Sequence, residues 1–512
     1  LAKQGLLRSG IIVSAGTLVS RVLGFVRDMV FASYLGAGGA TDAFYVAFKV
    51  PNFFRRLFAE GAFSQAFVPV LNEYKALANH AEVQRYVAKV TTMLAAVVGA
   101  VVLLGIVGAD YVAQVFAWGY RDEADKLAIT AELLRITFPY LFFISLVSVA
   151  AGIQNAYNQF AVPALTPVLL NLSLISAVVW LSPYFEVAAY GAAWGVLIAG
   201  VAQLLLQIPF LARLGMLGKP ELAPKDEGVR KTLKLMGPAL FGASVAQINL
   251  LLDTLLASLL ADGAVSWLYY ADRLSELPLG LIGIAIGTVV LPTLSVLHAK
   301  ADKQAFQKTI NWAIFVVLLV GVPAAMALIV LPVPLQATLF LRGQMQASDI
   351  LASSDALIAY AIGLPAFMLV KVLVPGWFAR QDTKTPVKIG LWAMAVSMGL
   401  NLILIWPLGH VGLALSTSLA AWFNAACLYI GLRKLEVAPP MSQIIKQSWA
   451  AVVAGCVMGV VLLFGKPETD WWLMASEVDR ILWLAIMVVG GMVSFTIVAL
   501  ALGIRPRMLK SH

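Results

Sequence analysis

Charged residues are scarce in this chain: Asp, Glu, Lys and Arg together make up 12% of its 512 residues, against 61% hydrophobic. So little charge excludes the solvated surface that a soluble protein of this length needs, and a mean hydropathy of +0.88 places the chain among integral membrane proteins. Cysteine is nearly absent. Cys427 and Cys456 lie alone in apolar stretches, which excludes a disulfide framework and a thiolate metal site. His80, His298, His410 and His512 fall in loops or at ends with no H-x-x-x-H spacing, so a zinc or histidine-base site has no support. Also missing are a Walker loop, a G-x-S-x-G elbow and a carboxylate cluster suited to metal-assisted glycosyl transfer. Catalysis fits poorly and an ATP-driven pump in cis is excluded. The first hydrophobic stretch has no small-residue cleavage motif and runs into Ser20 and Arg21, so it reads as a retained helix rather than a signal peptide.

What is abundant is apolar sequence in long runs. Stretches able to span about 30 Å of hydrocarbon recur about fourteen times. They begin near Ser9, Thr41, Val90, Ala128, Val162, Val187, Leu233, Ala264, Thr309, Asp355, Pro386, Val411, Ser448 and Arg480. An all-α polytopic membrane fold follows, with kinks expected near Pro51, Pro278 and Pro375. The net charge of +9 is read as topology rather than nucleic-acid binding. Lys and Arg collect in alternate loops, 23 on one side against 5 on the other, which predicts both termini in the cytoplasm. The loop from Gly108 to Ala128, with Asp110, Asp122, Glu123 and Asp125, reads as a solvated outer loop.

A weak internal repeat appears at an offset of 223 to 225 residues. Asp28, Ala32, Ser33, Gly38, Thr41 and Phe44 read against Asp253, Ala257, Ser258, Gly263, Ser266 and Tyr269, and Pro69 and Pro163 against Pro292 and Pro386. The expected organisation is an N-terminal six-helix lobe over 1–218, a cytoplasmic linker over 219–231, a second six-helix lobe over 232–435 and a terminal helix pair over 440–505. In that pair Gly455 and Gly459 form a G-x-x-x-G, read as close packing within the chain.

Eight basic residues remain inside the spans, where charge is expensive and normally faces a bundle interior or a water-filled cavity. On the first helix Ser20, Gly24 and Arg27 form one stripe and Arg21 and Asp28 the adjacent one. On the second, Lys49, Asn52, Arg56, Glu60 and Ser64 share a face, Arg56 and Glu60 can pair at i,i+4, and Arg55 points elsewhere. Asp42 sits at the outer mouth as a cap or a gate. The second lobe supplies Ser266, Tyr269, Arg273 and Glu276 along one face, with Asp272 beside them, and Lys371 adds a further cation. For Arg56 with Glu60, and Arg273 with Glu276, structural ion pairing and a functional role both stay open. Arg21, Arg27 and Arg55 read as substrate ligands, because the first two helices carry more cations than acids and the guanidinium fork grips phosphate oxygens in pairs. Arg135, near a helix end, is read as snorkelling.

At "SRVLGFVRD", "GATDAFYVAFKVPNFFRRLFAEGAFSQAFVPVL", "SWLYYADRLSELPLG" and "ARQDTKTPVKI" the chain resembles the MurJ (MviN-type) lipid II flippases of the multidrug/oligosaccharidyl-lipid/polysaccharide exporter superfamily. The resemblance implies a non-enzymatic transporter in the bacterial inner membrane. It would carry the undecaprenyl-diphosphate-linked peptidoglycan precursor from the inner to the outer leaflet. It also implies that Arg21, Arg27, Arg55 and Arg273, with Ser20, bind substrate in a central cavity. Asp28, Asp42, Glu60, Asp272 and Glu276 would be associated with function, and the terminal helix pair would hold the lipid tail. No cofactor is expected; the membrane potential and an unidentified coupling ion are the energy sources to consider. Expected partners are lipid II, membrane lipids and the cell-wall synthesis machinery, without nucleic acid, and the expected state is a monomer. The rivals are a drug or oligosaccharide exporter of the same superfamily and a non-transport membrane scaffold.

Overall fold

The computed structural model describes residues 2–56 and 63–509, and all regular structure among them is helical. The helices are α1 (Ala2–Leu35), α2 (Gly39–Phe54), α3 (Ser64–Leu77), α4 (His80–Val107), α5 (Ala109–Phe116), α6 (Ala124–Thr137), α7 (Pro139–Ala156), α8 (Ala161–Trp180) and α9 (Ala189–Arg213). They continue with α10 (Glu227–Ser258), α11 (Ala264–Ala299), α12 (Lys303–Val330), α13 (Pro332–Phe340), α14 (Ala347–Phe378), α15 (Lys384–Lys434), α16 (Met441–Gly465), α17 (Thr469–Met474) and α18 (Glu477–Ala501). Each of the fourteen apolar stretches begins in a helix or within two residues of one.

Among the described residues nine helical segments are long and apolar enough to cross a membrane. α6 and α7 together form one of them, over 124–156. α15 is a single 51-residue segment only in name: Gly409, at φ 56° and ψ −132°, breaks it after Pro407 into two spans. That left-handed backbone is open to glycine and strained for other residues. α1, α10 and α11 have 34, 32 and 36 residues, enough at about 1.5 Å per residue to exceed the hydrocarbon thickness. α11 runs helically through Pro278 and α14 through Pro375.

The helix boundaries repeat. α4 over 80–107 recurs as α12 over 303–330, and the starts of α5, α6 and α8 at 109, 124 and 161 recur at 332, 347 and 384 for α13, α14 and α15. Pro163 and Pro386 are both the third residue of their helix, in the first turn, where a missing N–H breaks no helical bond. The 108–128 stretch is not a plain loop: it folds as α5, a 3-10 turn at 118–120 and the start of α6. Asp110 pairs with Arg135 at 2.6 Å, so that arginine has a partner beyond the headgroups.

By packing the chain forms two compact units, Leu1–Val265 and Ser266–His512. In the first, α1 lies along α8, α8 along α9, α7 on α9 and α2 on α6, while α10 packs against α2, α3, α4 and α5. Phe67, Tyr86 and Tyr74 stack in its core, with Tyr74 and Tyr86 4.3 Å apart. The linker is docked on α4: Gln84 donates to the carbonyls of Gly215 and Leu217, Arg85 pairs with Glu221 at 3.1 Å and Lys89 with Asp226 at 2.6 Å. Asp226 also caps α10 by accepting from the backbone N–H groups of Gly228 and Val229. Burial opposes its charge, but Lys89 and the two amides outweigh burial and hold the carboxyl below its ordinary range.

In the second unit α14 packs on α15, α12 on α14 and α16, and α16 on α18. A Cβ on Gly455 would lie 2.9 Å from Val322 and one on Gly459 2.7 Å from Met326, so the G-x-x-x-G seats α16 against α12 within the chain.

Candidate functional site: the intramembrane charges

Asp28 on α1 is fully buried, and its Oδ1 accepts from Nε and Nη2 of Arg27 at 3.0 and 2.7 Å. The remaining guanidinium nitrogen, Nη1, donates to Asn171 Oδ1 on α8 at 3.1 Å. Asn171 Nδ2 in turn donates to the backbone carbonyl of Ser20 at 3.0 Å. A cation, an anion and an amide therefore tie α1 to α8 inside the membrane, where hydrogen bonds compensate the desolvation of both charges. Buried Gly24 lies on the same stretch of helix, whereas Arg21 is exposed and makes no hydrogen bond or ion pair among the described residues.

On α2, Lys49 Nζ donates to Thr254 Oγ1 of α10 at 2.9 Å. Pro51 has no N–H to offer Ala47, and the carbonyl so released accepts from the Thr137 hydroxyl of α6 at 3.4 Å. Beyond Pro51 the helix widens into π turns at 55–56 and 63. Arg55 does not point away from the Asn52 face as expected: its Nε donates to Asn52 Oδ1 at 2.6 Å. Three residues apart on a helix is a neighbouring position, and the long arginine side chain closes the remaining angle. Arg56 is exposed, and its expected partner Glu60 lies outside the described residues. Asp42 is buried and accepts from the Gly263 N–H at 2.8 Å, which fixes the turn after α10 to the start of α2. Lys126 pairs with Asp262 in the same turn.

In the second unit Arg273 Nη1 pairs with Glu276 Oε2 at 3.2 Å, the latter half exposed. Asp272 is partly buried beside them, and Lys371 is exposed on α14. Three of the pairings therefore join residues singled out from the sequence: Arg27 with Asp28, Arg55 with Asn52, and Arg273 with Glu276. Asn171, Thr254 and Lys126 were not singled out. A lone asparagine in the apolar run "LLNLSLIS" was the one available signal for Asn171, since an intramembrane amide needs a partner.

Membrane-length helices in duplicated order, with cations held among them, define a polytopic helical bundle of the kind built for transport. The family model described as "Lipid II flippase MurJ" matches residues 31–483. A probable lipid II flippase MurJ of Vibrio cholerae is 45% identical over 99% of this chain and 98% of its own length, and one of Haemophilus influenzae is 43% identical over 96% and 99%. The chain belongs to the MurJ lipid II flippase family. A solved lipid II flippase MurJ in an inward closed conformation superposes with a TM-score of 0.79 at 27% identity, covering 96% of this chain and 98% of that one. An inward-facing multidrug resistance MATE family transporter shares the fold, with a TM-score of 0.66 at 14% identity over 86% of this chain and 99% of its own.

Proposed function

We propose that this protein moves lipid II from the inner to the outer leaflet of the bacterial inner membrane by alternating access, without making or breaking a covalent bond. The observation that carries the reading is the full-length match to lipid II flippases in a chain that keeps arginines within its membrane helices. The substrate is amphiphilic: a sugar-peptide head too polar for hydrocarbon, a diphosphate, and a tail too long to enclose. Arg21, Arg27, Arg55 and Arg273 are the proposed diphosphate ligands, and Arg21, exposed and without a partner among the described residues, is the one whose donors need no rearrangement. Ser20 is proposed to bind substrate beside them, and Asp28, Asp42, Lys49, Arg56, Glu60, Asp272, Glu276 and Lys371 to set the charge balance as the site empties and refills.

The repeating helix boundaries support two six-helix lobes, 1–218 and 232–435, rocking about a midplane site, with the 440–505 pair holding the lipid tail. Both termini are cytoplasmic in this reading, and the protein acts as a monomer. The membrane potential, worth about 2.3 kcal/mol per unit charge at 100 mV, resets a site left cationic after release.

The test is a lipid II flipping assay on Arg→Lys variants at matched abundance. Lysine keeps the charge and loses the planar fork, so Arg21→Lys and Arg55→Lys are expected to lose most activity. Wild-type flipping by both would remove these arginines from the site.

A further inference from the structure

Unit 1 contains an apolar concavity of about 210 Å³ between α4, α7 and α10. Its walls are Val90, Leu94, Val97 and Val101 from α4, Leu141 from α7, and Val229, Leu233 and Met236 from α10, with Phe63 at one end. The one polar side chain, Thr232, is already engaged: its hydroxyl bonds the Gly228 carbonyl at 2.9 Å and the Tyr86 hydroxyl at 2.8 Å. Nothing in the groove is left to recognise a polar ligand.

Gly237 lines the groove from α10. It lies inside α10, where glycine weakens a helix, yet a Cβ placed there would meet no atom within 4 Å. Pro238 follows in sequence, and a residue before proline within a helix is spared a clash when it has no Cβ; the missing side chain also leaves the groove wider at this point. Val97 and Leu233 on the rim are each about half exposed, so the mouth faces lipid in a membrane-embedded chain.

One turn apart on α10, Arg230 and Lys234 flank the groove face near the start of the helix. Both are exposed, and neither makes an ion pair or hydrogen bond among the described residues, whereas the nearby Lys89 and Lys231 are paired with Asp226 and Glu73. An apolar slot with two unpaired cations at its polar end matches a lipid with one buried hydrocarbon chain and an anionic headgroup. At roughly 30 Å³ for a water-sized group, the slot takes about seven methylenes.

We propose that the α4–α7–α10 groove is a binding site for an anionic phospholipid, one acyl chain lying over Gly237 and its headgroup phosphate resting on Arg230 and Lys234. Phe63, the residue that precedes α3, also lines the groove, so the lipid contacts the start of that helix.

The test uses the full chain in nanodiscs with phosphatidylglycerol or phosphatidylcholine, each carrying a diazirine midway along one acyl chain, followed by peptide mapping. Phosphatidylglycerol is expected to label 90–101 and 229–240 at least fivefold more than phosphatidylcholine. Gly237→Leu, which plugs the groove from α10, and Val97→Phe, which plugs it from α4, should each cut that labelling at least fivefold. The double variant R230Q/K234Q should erase the preference for phosphatidylglycerol. Equal labelling by the two lipids, labelling that survives both plugs, or displacement of the label by stoichiometric undecaprenyl diphosphate would each overturn the proposal, the last by giving the groove to the substrate's tail.

Discussion

Breaking the Arg27–Asp28 pair from either side should destabilise the protein more than removing the exposed Arg21 from the same helix. The Asp28 carboxylate is fully buried and takes two hydrogen bonds from Arg27, whose side chain is only 12% exposed. In Asp28→Ala the guanidinium keeps its bond to Asn171 but loses its counter-charge, and breaking a buried pair from one side costs about 3–5 kcal/mol. Arg27→Ala takes both of these hydrogen bonds from the buried carboxylate, with a cost of the same order. Arg27 is therefore not a surplus cation that can be deleted without structural consequence, as the excess of basic over acidic residues on the first helices implied. Replacing both by alanine removes the charges together and should cost less than the sum of the singles, with a coupling of about 1–3 kcal/mol. Asn171→Ala removes one bond to a charged group and should cost about 1.5–3 kcal/mol. Thermal or denaturant unfolding of the purified variants in one detergent measures all four. If Asp28→Ala unfolds within about 0.5 kcal/mol of wild type, or the double variant is additive, the pair does not brace α1 against α8 and the reasoning fails.

Three further outcomes are expected. A Cβ on Gly119 would fall 1.9 Å from the Ser258 carbonyl oxygen, so Gly119→Ala should cost about 1–3 kcal/mol by forcing the 118–120 turn off α10. Gly99→Ala, whose Cβ would sit 3.7 Å from Phe142, should be neutral or stabilising in the same melts; equal behaviour of the two would sink the clash argument. Asp226, held below its ordinary pKa in the folded protein, lends stability that is present above the unfolded value of about 3.9 and lost as pH falls through the lower folded value. Hydrogen exchange over 214–226 should accordingly be pH-corrected constant from pH 7 to about 5 and rise only below about 4, whereas Asp226→Asn should exchange faster throughout; loosening already at pH 6 would assign the docking to another group. With Cys427 and Cys456 replaced by Ala, a cysteine at Trp118 should react with an impermeant thiol reagent outside intact spheroplasts and one at Lys225 should not, and the reverse pattern would invert the topology.

Helix positions were legible because hydrophobic length is a local property: the bilayer demands about 20 apolar residues from each span regardless of its neighbours. The duplication was legible for a related reason. Pro163 and Pro386 sit where a helix tolerates proline, and such positional constraints survive after most side chains have changed. Gly455 and Gly459 likewise announced a packed face, although Val322 and Met326 as the residues filling it became known only from the fold. The 108–128 stretch was misread as a loop because its four acids interrupt the apolar run, and α5 is only 8 residues long.

What escaped the sequence is the pairing of charges, and the reason is that a helical wheel ranks directions on one helix while a buried charge answers to the helix opposite. The wheel placed Arg27 on a polar stripe correctly, but its neutralisation depends on Asn171, 144 residues away. Arg55 failed differently: the wheel ranks the direction of the Cβ, but a long arginine side chain three residues on reaches back to Asn52 across the remaining angle. An arginine already bonded to its own helix must exchange those bonds for phosphate oxygens when substrate arrives, whereas Arg21 has none to give up among the described residues. If the diphosphate is the ligand, binding should proceed in that order. Arg21→Ala should then weaken lipid II capture, read as an increased apparent Kd, while Arg55→Ala should leave capture nearly intact and slow translocation. Equal loss of capture in both would mean that the bond to Asn52 is broken before substrate arrives, and that the two arginines act as one site.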